Sequence, residues 1–94
     1  MNHWSVSQER IMMIRILEAR YLGDFQIRLH FSDGAKGILN GHLLLQNRGS
    51  LLELLRDEAY FRRFFTEAGA LCWPNGLELS PARLHETCQL QQAA

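Results

Sequence analysis

Asp24-Phe25-Gln26-Ile27-Arg28-Leu29-His30-Phe31-Ser32-Asp33-Gly34-Ala35-Lys36-Gly37-Ile38-Leu39-Asn40 decides the fold of this chain. Phe25, Ile27, Leu29 and Phe31 alternate with Gln26, Arg28, His30 and Ser32. A strand sends successive side chains to opposite faces, so the stretch has one apolar and one polar face. Asp33-Gly34 supplies residues that tolerate positive φ, the state a tight hairpin requires, and residues 35–39 return as the partner strand. Upstream, residues 11–22 carry two competing periods. Their β-branched residues and the hairpin that follows favour a strand over 12–20. Gly23-Asp24 turns it into the next strand, giving an antiparallel meander.

Downstream of Asn40, the residues Gly41, Asn47 and Gly49 break the pattern, with a turn or half-helix at residues 41–45. Ser50 and Glu53 have the spacing of a capping box. A short helix over 51–56 then buries Leu51, Leu54 and Leu55. Asp57 is a second N-cap, and Phe61, Phe64 and Phe65 form the inner stripe of a helix over 58–66. Ala70-Leu71-Cys72-Trp73 reads as a fourth strand. Pro74-Asn75-Gly76 turns the chain, and Leu77-Glu78-Leu79 extends it as a short hairpin. Ser80-Pro81 places an N-cap and a proline at the first helical position, with Leu84 and Cys88 facing inward. The predicted fold class is α+β: an antiparallel three-stranded meander, two short helices, a fourth strand with a short hairpin extension, and a C-terminal helix. Residues 1–10 form an arm, 11–88 a single domain, and 89–94 a fraying tail. The predicted core is Ile16, Leu17, Phe25, Ile27, Leu29, Phe31, Ile38, Leu54, Phe61, Phe64, Leu71, Trp73, Leu79 and Leu84.

At 94 residues the chain fits one domain. Its 47% hydrophobic content argues against disorder. Ten basic and ten acidic residues cancel, and no run of like charge occurs, so the sequence does not favour binding nucleic acid by itself. A neutral chain has little self-repulsion, which permits a homodimer. Two cysteines are too few for a disulfide scaffold. No apolar run approaches the roughly 20 residues needed to cross a bilayer, and nothing resembles a signal peptide, so a cytoplasmic, membrane-free protein is expected.

The pattern supplies no catalytic set, no cofactor site and no metal site. His3, His30, His42 and His85 are scattered, and His85 with Cys88 at i, i+3 lacks two further ligands. Cys72 and Cys88 fall on apolar faces, away from the base a nucleophile needs. Five residues are candidate partner contacts, each with a plainer reading beside it. Trp4 packs on the domain's own flank or docks on a second subunit. Arg28 and His30 pair across strands with carboxylates such as Glu18, or join Arg15 in a patch that meets a partner or RNA. Trp73 lies over the sheet in the core, or is exposed as a binding hot spot.

Several segments together carry a resemblance: Ala19-Arg20-Tyr21-Leu22, Leu29-His30-Phe31-Ser32-Asp33-Gly34, Gly37-Ile38-Leu39-Asn40, Leu54-Leu55-Arg56-Asp57, and Trp73-Pro74-Asn75-Gly76-Leu77-Glu78-Leu79-Ser80-Pro81. In order, and with Phe61 and Phe64, they resemble the small bacterial family of the domain of unknown function 2442, over roughly residues 14–86. The resemblance implies a compact α+β domain whose gene often neighbours that of another small protein, in an arrangement like a toxin–antitoxin pair. Relatives often have aspartate where this chain has Asn40; a cap or turn role survives that difference, whereas a role for the carboxylate does not. The expected function is a non-catalytic protein-interaction module. Its partner would be another small protein, with this chain as the neutralising member. A nucleic-acid-associated regulator and a small-molecule enzyme are the alternatives.

Overall fold

The central hairpin positions everything else. In the computed structural model, which describes residues 14–91, strands β1 (Ile16–Gly23), β2 (Gln26–Phe31) and β3 (Lys36–Asn40) form the expected antiparallel meander. A last strand, β7 (Gln89–Gln91), adds to its far edge, giving the order β1-β2-β3-β7. The fraying expected from residue 89 onward is therefore corrected for Gln89–Gln91, which pair with Ile38, Gly37 and Lys36. A second antiparallel sheet contains β4 (Phe65–Glu67), β5 (Ala70–Cys72) and β6 (Glu78–Leu79). Short helices α1 (Gly41–Leu44), α2 (Ser50–Glu53) and α3 (Glu58–Phe61) link the sheets, with a 3-10 turn at Leu54–Arg56. Helix α4 (Pro81–Thr87) leads into β7. The fold is α+β.

Ile27, Leu29 and Phe31 are fully buried, as the alternation requires. With Leu55, Phe61, Leu71 and Trp73 they form the centre of one core. Burying each such side chain contributes about 1.5–3 kcal/mol. The indole N–H of Trp73 donates to the Phe61 carbonyl at 2.9 Å, so its one polar atom is satisfied inside. Leu39, not Ile38, is the inward residue of β3, because Leu39 sits opposite Ile27 in the register while Ile38 sits opposite Arg28.

The two periods that compete in residues 11–22 have a structural cause. Ile16 pairs with Phe31, but the next pair is Glu18 with His30, so Leu17 is the extra residue of a bulge. Ile16, Ala19 and Tyr21 face the core on either side of it, and Leu17, expected inside, is 60% exposed. The start of the strand predicted at residues 12 and 13 lies outside the described residues.

Two helices differ from expectation. The residue preceding α2 is Gly49 and no side chain caps that helix, so the Ser50–Glu53 capping box does not form. The buried leucines are Leu52 and Leu55, while Leu51 and Leu54 are exposed. Helix α3 stops at Phe61, and the predicted continuation to residue 66 becomes strand β4 paired with β5. Phe64 stacks at the core margin against Tyr21 and Trp73, whereas Phe65 is exposed. Ala68 and Gly69, both at positive φ, make the two-residue turn between Glu67 and Ala70. Phe25 and Leu79, placed in the predicted core, are half-buried at its edge. At α4 the reading holds: Ser80 accepts from the Arg83 N–H and Pro81 opens the helix.

Candidate functional site

The turn between β1 and β2 sets one end of the sheet. Gly23 pairs with Gln26, leaving Asp24 and Phe25 as a two-residue loop at φ 53° and 62°. That φ pattern belongs to the type I′ hairpin, whose second position favours glycine, so Phe25 is strained there. Main-chain hydrogen bonds and ring packing hold it. The Tyr21 hydroxyl accepts the Phe25 N–H at 3.1 Å and donates to the Glu58 carboxylate on α3. The Phe25 ring packs 5.0 Å from both Phe61 and His42. Gly41 donates to the Phe25 carbonyl at 2.6 Å, and a Cβ at Gly41 would lie 2.5 Å from that oxygen. Asn40 caps α1, its side-chain oxygen accepting from the His42 N–H at 2.9 Å. The Asn40 position therefore has a structural task that aspartate performs equally well.

Beside this turn lies a cleft of about 760 Å³ between β3, α1, β6 and α4. Leu39, Leu44, Leu79 and Leu84 supply its apolar surface, and Gln26, Asn40, Asn47, Glu78 and Arg83 its polar groups. Its cause is the short reach of β7. Phe31 N–H donates to Ala35 and Gly41 N–H to Phe25, so odd-numbered β3 residues turn their main-chain groups toward β2. Lys36, Ile38 and Asn40 turn theirs to the other edge. There β7 meets Lys36 and Ile38 and stops, leaving the Asn40 N–H facing the cleft. Because His42 uses the Asn40 side-chain oxygen, the carboxamide NH2 is left as a second donor. Leu43 stands at the mouth with 60% of its surface exposed. The Gln26 carboxamide carries a donor and an acceptor that match a peptide group, while the Asn47 NH2 already donates to the Leu44 carbonyl at 3.3 Å. Nothing in the sequence pattern marks this cleft, since it arises where elements distant in the chain fail to meet.

The residues expected to contact partners separate in space. Trp4 lies outside the described residues. Trp73 is 1% exposed and is a core residue, so its reading as an exposed hot spot is corrected. Arg15 does not join Arg28 and His30. It lies beside the β4–β5 turn, where its Cβ and Cγ cover Gly69, and its main chain exchanges hydrogen bonds with Ser32. Arg28 and His30 lie on the outer face of the first sheet, in a second concavity with Glu18 and Arg20.

Two histidine–aspartate pairs fasten the hairpin ends. His42 Nε2 meets Asp24 at 3.0 Å, and His85 Nε2 meets Asp33 at 2.9 Å while its ring lies edge-on to Phe31. Donation from the Ala35 N–H holds the Asp33 carboxyl below its usual value; burial opposes it, and the His85 hydrogen bond adds a smaller lowering. Among the described residues no group of three side chains is placed to hold a metal ion. Burial pushes the Cys88 thiol up to about 11, and burial with the nearby Glu78 and Glu67 carboxylates raises Cys72. Both thiols are thus poor nucleophiles. Among the described residues no helix is long and apolar enough to cross a membrane.

No curated protein and no solved structure matches the chain. Residues 16–89, which include the hairpin, the cleft and α4, match the model of the family described as "Protein of unknown function (DUF2442)", and the chain belongs to that family.

Proposed function

We propose that this protein is a non-catalytic protein-interaction module whose cleft receives an extended segment of a partner protein. The observation that carries the reading is the unpaired Asn40 end of β3, bordered by leucines and carboxamides. An extended segment that continues the line of β7 would meet the Asn40 N–H through its own main chain and seat an apolar side chain among Leu39, Leu44 and Leu79. The volume falls in the ordinary range for ligand sites, and its mix of apolar walls with a few polar groups suits a peptide. The family resemblance supports a small protein encoded beside this one as the partner, with this chain as the neutralising member of the pair.

Co-expression with the neighbouring gene product tests this. A stoichiometric complex at micromolar concentration is expected, and it should weaken at least about tenfold with Leu43→Lys, which places a charge at the mouth without disturbing a buried residue. Absence of a complex, or a complex indifferent to Leu43→Lys, refutes the reading.

A further inference from the structure

The outer face of the first sheet is built differently from the cleft. Three cross-strand rows run across it. The first is Glu18, His30 and Lys36; the second is Arg20, Arg28 and Ile38; the third contains Gln26 and Asn40. Residues directly opposite in an antiparallel register share a face, and like charges so placed repel. Arg20 and Arg28 are such a pair. The two arginines, with Glu18 and His30, surround a concavity of about 140 Å³. Lys36 lies next to His30 in the same row. Against three permanent cations stands one carboxylate, Glu18, which reaches Arg20 only at 3.8 Å. Arg28 and Lys36 have no ion-pair partner among the described residues.

From this charge imbalance we infer that the concavity is a binding site for the phosphoryl group of a small phosphate monoester, held between Arg20 and Arg28 with His30 beside it. A guanidinium presents a planar fork of donors that matches phosphate oxygens, and two facing forks satisfy one tetrahedral anion from two sides. The anion removes the repulsion between the arginines, so the arrangement costs least when occupied. The footprint favours a single phosphoryl group over a nucleic acid. The cations occupy two rows on three strands, and the chain as a whole is neutral, so this face forms no extended positive track for a polynucleotide backbone among the described residues. Ile38, next to Arg28 in the second row, is half-buried at the border with the cleft, within reach of the body of a ligand held by Arg28.

The test is a titration of the full chain with inorganic phosphate, and separately with ribose 5-phosphate, in about 0.15 M NaCl, followed by NMR. Saturable shifts centred on Arg20, Arg28 and His30 are expected with both probes, at millimolar affinity for phosphate. Arg28→Gln should weaken binding about tenfold, while Arg48→Gln, in the loop before α2, should leave it unchanged. Glu18→Gln, which removes the competing carboxylate, should tighten binding about two- to threefold. Circular dichroism of each variant separates lost binding from lost folding, and the gain expected of Glu18→Gln cannot come from unfolding. The inference is overturned if neither probe saturates, if Arg48→Gln weakens binding as much as Arg28→Gln does, or if Glu18→Gln weakens it. Tighter binding of a 12-nucleotide single-stranded RNA than of ribose 5-phosphate also overturns it, by assigning the face to nucleic acid.

Discussion

Replacing Tyr21 by phenylalanine removes one oxygen and should loosen the β1–β2 turn. The ring remains, with its contacts to Phe61, Phe64 and the Arg62 guanidinium, so no cavity opens. Two hydrogen bonds are lost. The Phe25 N–H, half-buried and at positive φ, loses its 3.1 Å acceptor, and a stranded donor of this kind costs about 1–2 kcal/mol. The bond to the exposed Glu58 carboxylate adds about 0.5 kcal/mol. The sum is about 2 kcal/mol. For a domain of this size that lowers the melting temperature by about 8–16 °C.

Urea denaturation of Tyr21→Phe, with an unchanged slope, gives the number directly. Glu58→Gln retains an acceptor and should cost about 0.5 kcal/mol or less. The Phe25→Gly background decides the mechanism. There the left-handed backbone is unstrained and the stranded N–H is open to water, so removing the hydroxyl should cost about 1 kcal/mol less, a coupling measurable by a double-mutant cycle. If Tyr21→Phe costs under about 0.5 kcal/mol, or costs the same in both backgrounds, the hydroxyl does not secure the strained turn. Burial, then donation to Glu58, raises the Tyr21 phenol above its usual 10.0. The folded state therefore holds this proton more tightly than the unfolded one. Its contribution is complete below pH 10 and is lost as pH rises through the folded value, so Tyr21→Phe should flatten the alkaline end of the stability curve.

Asn40→Ala removes the cap of α1 and should cost about 1 kcal/mol in thermal or urea unfolding, whereas Asn40→Asp should be neutral or slightly stabilising. A disulfide reagent at about pH 8 should label neither Cys72 nor Cys88 rapidly in the folded protein and both at once in denaturant; fast native labelling would contradict their burial. The Asp33 carboxyl is lowered in the folded state, so its contribution is present above the unfolded value of 3.8 and is lost as pH falls through the folded one. Asp33→Asn should therefore reduce the loss of stability on acidification below about pH 4, measured against the parent chain.

The central hairpin was legible because its signal is local: period-two alternation marks Ile27, Leu29 and Phe31 as one face, and Gly34, though not Asp33, takes the positive φ of the turn. The α4 start was legible for the same reason, Ser80 and Pro81 being adjacent determinants of a helix end. Where distant contacts decide, the pattern misleads. Phe61, Phe64 and Phe65 have helical spacing, yet pairing with Ala70–Cys72 draws Phe65–Glu67 into a sheet. The bulge at Leu17 shifts the inward phase of β1, which no periodicity reveals until the partner strand is known. Arg28 and His30 were identifiable as polar-face residues, but Arg20 enters their site only through the register, and the cleft depends on where β7 ends.

That ending has a physical cause. Helix α4 finishes at Thr87, and Cys88, buried with its N–H bonded to the Leu84 carbonyl at 2.8 Å, fixes the chain against the core. Cys88 is already extended, and from Gln89, whose register partner is Ile38, the chain pairs with β3. Two residues of β3 remain beyond that point, Leu39 turned inward and Asn40 at the edge, with α4 standing over them. Closing the gap would bring Thr87 opposite Asn40 and unwind the last turn of α4, giving up the Cys88 N–H bond to the Leu84 carbonyl for one added bond to β3, an exchange that gains little. On the reading proposed above, a partner segment that supplies a main-chain acceptor at Asn40 would gain that bond while α4 keeps its last turn.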